Sequence, residues 1–374
     1  MKVCVLCPDL THYDFGLIGN ARVAHELLTH LAERGPEVFA LTNLQAGRHI
    51  PPDLDYQTIT FPGDGTSRSF ALRVLKYLAL LRPDVVHGHG GIGMAAILAA
   101  VKRLHKIRCV LTVTQLPSPR APNLAWGGLK EIDVVISLTK YVHNYFRARR
   151  LRSWNSVIIP YGLNERFVSV RPEADPLSFV EKGPRLCFWG SGSVTRGFGV
   201  LLEAFPRLIK ARPELQMVAA LRNIESASLS KVHSLWRQGH LHLLVPRALS
   251  GLPEARIYPT SVEHIVAKTD VVALPFLVNP CEPPLTIVES MALGMPIVTT
   301  DVNSNPELIG TNERGLIVPP NDAQALGTAV LTMLENPRDF AKMASEAKGF
   351  ITNQFDDVRA ASQILGIYQK LSRR

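Results

Sequence analysis

The sequence predicts an α/β protein made of two Rossmann-like, doubly wound parallel-sheet domains. Three observations point there. Short apolar runs alternate with amphipathic helical stretches almost from end to end, the pattern of stacked βα units. At 374 residues, 46% of them hydrophobic and 20% charged, the chain is too long for one ordinary core and has apolar side chains enough for two. A polar, proline-containing stretch without periodicity, residues 170–184, separates two series of such units.

In the first series, apolar runs at residues 3–6, 38–42, 85–87, 110–113, 134–136 and 157–159 predict six strands. Ala24, Leu27, Leu28 and Leu31 recur at helical spacing on the first helix, which Gly35 and Pro36 stop. The second series predicts strands at residues 186–189, 216–220, 242–245, 271–274 and 296–300. A helix over residues 200–211 places Leu201, Ala204, Phe205 and Leu208 on one face and is expected to kink at Pro206. Residues 341–371 read as a final helical segment. The expected domains are residues 1–168, a linker at 169–184, residues 185–352, and a last helix at 353–374 that returns to the first domain. Two such halves create a cleft lined by the carboxyl ends of both sheets, where open α/β sheets bind ligands.

Composition excludes several classes. No apolar run approaches the roughly 20 residues that a membrane-spanning helix needs. The N-terminus enters a strand-like segment without the pattern of a secretory signal, so the expectation is a cytoplasmic protein. Cys4, Cys7, Cys109, Cys187 and Cys281 sit mainly in apolar, strand-like surroundings and are expected to be buried thiols. Cys4-x-x-Cys7 lacks the second pair that a zinc site needs, and His87-Gly-His89 lacks a neighbouring carboxylate or cysteine, so no metal is expected.

Charge is uneven. Residues 1–160 hold 19 Lys and Arg against 11 Asp and Glu, a net of +8, while the remainder holds 22 against 21, a net of +1. The basic half has two readings. It can face an anionic partner, whether a membrane surface touched peripherally, a phosphorylated acceptor or a nucleic acid, or its clusters at residues 102–108 and 147–152 can be solvated helix ends. No nucleic-acid motif is visible, so RNA is the least expected partner.

The segment richest in chemistry is Pro280-Cys-Glu-Pro-Pro-Leu-Thr-Ile-Val-Glu-Ser-Met-Ala-Leu-Gly-Met-Pro-Ile-Val-Thr-Thr300. Thr286 and Glu289 have the T-x-x-E spacing of a capping box opening a short helix, and Gly294 ends it. The start of such a helix, at Pro284, Leu285 and Thr286, offers unpaired backbone N–H groups and about half a positive charge, enough to hold a diphosphate. Glu282 can accept hydrogen bonds from sugar hydroxyls and Glu289 from ribose hydroxyls. The alternative for Glu289 is that it caps its own helix, worth about 1 kcal/mol.

This segment, with the downstream Pro306-Glu307-Leu308-Ile309 and Gly315-Leu-Ile-Val-Pro-Pro-Asn-Asp322, resembles glycosyltransferase family 4. Weaker matches are Gly19-Asn20 through Val38, similar to the family's first loop and helix; Pro83-Asp-Val-Val-His-Gly-His89; and Ile159-Pro-Tyr-Gly-Leu-Asn164. Trp189-Gly-Ser-Gly-Ser-Val-Thr-Arg-Gly197 is similar to the loop that binds the donor diphosphate, although it fits neither a dinucleotide fingerprint nor a P-loop. The resemblance implies a GT-B fold and retaining transfer of a sugar from a UDP-, GDP- or ADP-linked donor, without cofactor or metal; the expected acceptor is a glycan, a lipid-linked or another anionic acceptor. It assigns Glu289 to the donor ribose, puts Gly190, Ser191 and Arg196 at the diphosphate, has the loop at 16–20, with Gly19 and Asn20, close over the donor, and sets His89 and Thr114 on the acceptor side. Glu282 and Arg196 are the residues expected to serve catalysis.

Three departures stand out. Ser191 occupies the place of the diphosphate arginine, Thr114 that of a histidine contacting the donor sugar, and Glu282 lies seven positions before Glu289 instead of eight. Arg222, after the strand at 216–220, is the candidate that restores the missing charge. Two other readings remain open: a nucleotide-sugar 2-epimerase of the same fold, and a non-catalytic partner subunit.

Overall fold

The computed structural model describes residues 1–10, 19–44, 50, 54–62, 67–117, 123–149, 155–170, 174–246, 255–258 and 260–373. The chain folds as two compact units. Unit 1 holds Met1–Leu163, Cys281–Pro283 and Gln354–Arg374; unit 2 holds Asn164–Pro280 and Pro284–Asn353.

Unit 1 runs β1 (Lys2–Leu6), α1 (Gly19–Ala32), β2 (Glu37–Leu44), β3 (Gln57–Pro62), α2 (Ser67–Leu81), β4 (Val85–Gly90), α3 (Ile92–His105), β5 (Arg108–Val113), α4 (Asn123–Leu129), β6 (Val134–Ser137), α5 (Lys140–Arg147) and β7 (Ser156–Ile158). These seven strands form one parallel sheet in the order β3-β2-β1-β4-β5-β6-β7. The central strands β1, β4, β5 and β6 are buried along nearly their whole length, as a sheet covered on both faces requires. The predicted stripe of α1 is buried at Ala24, Leu27, Leu28 and Leu31. The sequence predicted six strands here; the seventh, β3, is largely solvent-facing and lacks a continuous apolar run.

Unit 2 runs β8 (Arg185–Gly192), α6 (Phe198–Ala211), β9 (Gln216–Ile224), α7 (Ser226–Arg237), β10 (Leu241–Val245), β11 (Ala255–Ile257), α8 (Val262–Val266), β12 (Val271–Leu274), α9 (Leu285–Ala292), β13 (Ile297–Thr300), α10 (Asn305–Ile309), β14 (Leu316–Val318), α11 (Ala323–Glu335) and α12 (Pro337–Gln354). Its seven-stranded sheet has the order β11-β10-β9-β8-β12-β13-β14, again parallel throughout. The edge strands β11 and β14, three residues each, are additions to the five predicted. Helix α6 continues through Pro206, which is exposed on its outer side.

Residues 164–184, read from sequence as the end of one domain and a linker, cluster with unit 2. Phe167 stacks on Trp189 at 5.8 Å, Asp175 pairs with Arg185 at 2.9 Å, and Lys348 donates to the Val168 carbonyl at 3.1 Å. The final helical segment is two helices. It breaks at Phe355 and Asp356, and the Asp356 carboxylate accepts from the Arg359 amide at 2.8 Å to start α13 (Asp357–Ser372). Helix α13 packs along α1, so the C-terminus crosses back to the first unit.

In each sheet the strand order reverses beside the first strand, at β1/β4 and at β8/β12. The carboxyl ends at such a reversal are where doubly wound sheets bind ligands.

Candidate functional site

In unit 2 the reversal point is built from the end of β8, the turn after it, the end of β9 and the start of α9. The β8–β9 ladder shifts register between Gly190 and Ser191, and Gly190 takes φ 113°. A β-carbon there would lie 3.3 Å from Thr286 Cγ2 and 3.9 Å from Arg222 Nη2. The strand end, the Arg222 guanidinium and the first turn of α9 therefore converge.

The next turn, a 3-10 helix at Val194–Arg196, ends at Gly197 with φ 74°. Any side chain at Gly197 would collide with the Pro275 carbonyl oxygen, so glycine is required by both conformation and space. This close approach lays the loop after β12 over the turn. The Leu277 and Val278 amides donate to the Thr195 carbonyl at 2.9 and 3.0 Å. Arg196 lies over the Phe276 ring, 4.9 Å from its centroid, and donates through Nη1 to Thr286 Oγ1 at 3.3 Å.

Helix α9 corrects the predicted capping box. Its N-cap is Pro284, with no side-chain cap, and Thr286 stands inside the first turn. The amides of Leu285 and Thr286 have no carbonyl four residues back within the helix, so the anion-binding character of a helix start is retained without the threonine cap. Every residue of α9 is buried, Glu289 to 1% exposure. The helix is held from below by Trp189, whose Nε1 donates to Ser290 Oγ at 2.9 Å; that hydroxyl donates in turn to the Thr286 carbonyl at 2.7 Å. Gly294, at φ 75°, sits where α9 gives way to β13.

The rich segment divides between the units, because Cys281–Pro283 belong to unit 1 and Pro284 onward to unit 2. Glu282 is 1% exposed, and its amide donates to the Thr114 carbonyl at 2.8 Å. The Thr114 amide donates to Gly90 at 3.0 Å, so Glu282 is tied to the end of β4 through the residue after β5. The Tyr141 phenol is raised by burial and, secondarily, by the Glu282 charge.

At the reversal point of unit 1, the two β4 imidazoles point the same way, as their spacing requires, with ring centroids 4.6 Å apart. His87 Nδ1 shares a hydrogen bond with Tyr368 OH at 2.5 Å and Nε2 with Thr112 Oγ1 at 2.8 Å. Thr112 Oγ1 meets Tyr161 OH at 2.6 Å, and that phenol reaches His89 Nε2 at 3.5 Å. Both histidines are fully buried; burial lowers His89 to about 3 and holds His87 well below its usual value, so both rings are neutral near pH 7. His89 and Thr114, assigned to the acceptor side, are thus both inside the protein, at 0% and 1% exposure.

Of the other predicted residues, Gly19 opens α1 at φ 47° and Asn20 follows in its first turn. Residues 16–18 of the expected closing loop, and the Asn20 side chain, lie outside the described residues. Ser191 is half-buried at the register shift. All five cysteines are buried; burial raises the Cys4 and Cys7 thiols, which opposes a redox role for that pair. Sequence reasoning missed Trp189 and Ser290 under α9, Phe276 under Arg196, and Tyr258, whose phenol senses the Arg222 charge after the larger effect of burial.

Comparisons with known proteins agree with this architecture. The family description "Glycosyltransferase Family 4" matches residues 19–167, and "Glycosyl transferases group 1" matches residues 183–336. A phosphatidyl-myo-inositol mannosyltransferase of Mycolicibacterium smegmatis is 23% identical over 100% of this chain and 94% of its own. An amylovoran biosynthesis glycosyltransferase, AmsK of Erwinia amylovora, is 30% identical over a shorter stretch, 24% of this chain and 22% of that protein. Among solved structures, sucrose-phosphate synthase of Thermosynechococcus elongatus superimposes with a TM-score of 0.79 at 17% identity, covering 99% of this chain and 98% of its own. The Anabaena protein Alr3699/HepE in complex with UDP superimposes with a TM-score of 0.74 at 16% identity, covering 99% and 100%. No helix among the described residues is long and apolar enough to cross a membrane.

Proposed function

We propose, from the premise that this chain is a family 4-like glycosyltransferase of the GT-B fold, that it moves a sugar from a nucleoside-diphosphate donor to an acceptor with retention of anomeric configuration. The observation that carries this reading is the pairing of Arg196 with Thr286 in the first turn of α9, with Arg222 brought to the same point beside Gly190. Two guanidiniums and a helix start converge where a diphosphate is to be held.

In this mechanism the anomeric C–O bond to the diphosphate breaks as the bond to the acceptor oxygen forms on the same face. The departing phosphate oxygen takes the acceptor proton, and no enzyme nucleophile is needed. Arg196, Arg222 and the Leu285 and Thr286 amides stabilise the charge that grows on the leaving diphosphate, which lowers the barrier because it acts more strongly in the transition state than in the bound donor. Glu289 binds the ribose hydroxyls, Glu282 the sugar hydroxyls, and the loop containing Gly19 and Asn20 closes over the donor.

The acceptor, in this reading, is anionic or sits on an anionic surface. In support, unit 1 has a cavity of about 800 Å³ whose walls include Lys102, Arg103, Lys106, Arg108 and Lys130. Asp133 pairs with Lys102 and Arg108, and Glu131 with Arg103, while Lys106 and Lys130 are exposed. Co-sedimentation with vesicles containing phosphatidylglycerol, weakening as salt rises, is the expected result; salt-independent or absent binding removes the membrane part of the reading.

The central test is calorimetry and thermal shift with UDP-, GDP- and ADP-sugars, where binding of at least one series is expected and binding of none overturns the donor assignment. Glu289→Ala should raise donor KM about tenfold or more, because a buried acceptor pairing with ribose hydroxyls is worth on the order of 1.5–3 kcal/mol. Unchanged KM returns Glu289 to a purely structural role. Incubating donor without acceptor separates the reading from a 2-epimerase, which alone would convert the sugar itself.

A further inference from the structure

The geometry points to a divalent-metal site in unit 1, distinct from the donor machinery, formed by Glu26, His30 and Asp357 and pinning the C-terminal helix to α1. The ligand atoms of these three residues all lie within 4.8 Å of one another. Glu26 and His30 are four residues apart on α1, so they project from one face of the helix. Asp357 comes from the far end of the chain, as the first residue of α13.

The Asp357 carboxylate is the second, independent sign of a ligand. It is only 9% exposed; Oδ1 accepts from the Gly162 amide at 2.7 Å, while Oδ2 is buried with no hydrogen-bond partner among the described residues. A buried carboxylate oxygen without a hydrogen bond is costly. The Glu26 carboxyl, itself 8% exposed, belongs to the same cluster.

A cation with a taste for mixed nitrogen and oxygen donors resolves it. Two carboxylates and one imidazole match Zn²⁺, and Mn²⁺ less closely. Metal bonds of about 2.0–2.2 Å at tetrahedral angles hold their ligand atoms roughly 3.4 Å apart, and the three here lie within 4.8 Å of one another. His30 Nδ1 lies 3.4 Å from Glu33 Oε2, so a further carboxylate stands beside the imidazole. The fourth position falls to water. Bound there, the ion joins α1, α13 and the 162–163 segment, and so serves stability and not the transfer reaction.

The test uses the untagged full chain after chelator treatment. Isothermal titration with Zn²⁺ and with Mn²⁺ should show stoichiometric uptake by the wild type, with a rise in Tm, and elemental analysis should find the ion in the dialysed protein. His30→Gln and Asp357→Asn should each lose the bound ion and the Tm response. His30 is half-buried and its replacement is expected to leave the fold intact by circular dichroism, so a failure of Asp357→Asn to fold does not rescue the idea. Absence of stoichiometric metal in the wild type, or unchanged uptake by His30→Gln, overturns the proposal. Donor binding measured alongside keeps this outcome separate from failure of the transferase reading.

Discussion

At the strand-order reversal of unit 1, β4 delivers His87 and His89 into a sealed chain of hydroxyls and imidazoles that Tyr368 of α13 closes. At the matching point of unit 2, β8 and β9 deliver Gly190, Ser191 and Arg222, and the adjoining turn delivers Arg196, all beside the start of α9. The two sheets share a winding but use it differently. One reversal point is filled by neutral side chains hydrogen-bonded in a chain, and the other brings two guanidiniums to the start of a helix, the arrangement on which the proposed donor site rests. Topology marks a location; the residues placed there decide whether it holds the fold together or binds a ligand.

Arg196→Ala should break this contrast most visibly. Removing a guanidinium aimed at developing diphosphate charge should lower kcat/KM by about 10²–10³, near 2.7–4 kcal/mol of transition-state stabilisation, with little change in Tm. A loss below tenfold would mean that Arg196 belongs to the scaffold, stacked on Phe276, and that the functional half of the comparison is misassigned.

The opposite signature is expected in unit 1. Tyr368→Phe leaves His87 Nδ1 buried without its partner and should cost about 1–3 kcal/mol of stability, measured by denaturant unfolding, while donor affinity stays unchanged. A large loss of donor affinity at unchanged stability would move the buried chain into the functional site.

Much of this contrast was legible in the sequence. Continuous apolar runs marked the central strands because a parallel strand buried on both faces tolerates little else. The same rule hid β3, β11 and β14, which lie at sheet edges and carry short or half-exposed sequences. The Asp356 cap that splits the last helical segment is a local signal, whereas the support of α9 by Trp189 through Ser290 spans 101 residues and leaves no local trace. The T-x-x-E spacing misled because Pro284 preceded it and took the capping position with its own backbone.

Acid should separate the units by a smaller amount. His89 has a folded value of about 3 against an ordinary 6.5, so below pH 6.5 the unfolded chain binds a proton that the folded one does not. Its contribution to stability is therefore lost as pH falls, by about 1.4 kcal/mol per pH unit between those values. The stability of wild type relative to His89→Gln, compared at pH 7 and pH 5, should shrink accordingly, since other titrating groups are common to both proteins. A constant difference would mean that His89 is charged or solvated in the folded state.

The smallest effect should come from Ser191→Arg, and it sharpens the cationic half of the comparison. If Arg222 already stands in for the absent arginine, a second guanidinium beside Gly190 adds repulsion nearly as large as its attraction for the donor. Donor affinity should then change by less than about tenfold, under ~1.4 kcal/mol. In an Arg222→Ala background the same substitution should recover most of the affinity that Arg222→Ala loses. Equal gains in both backgrounds would show that the two positions act independently, and that Arg222 supplies something other than the missing charge.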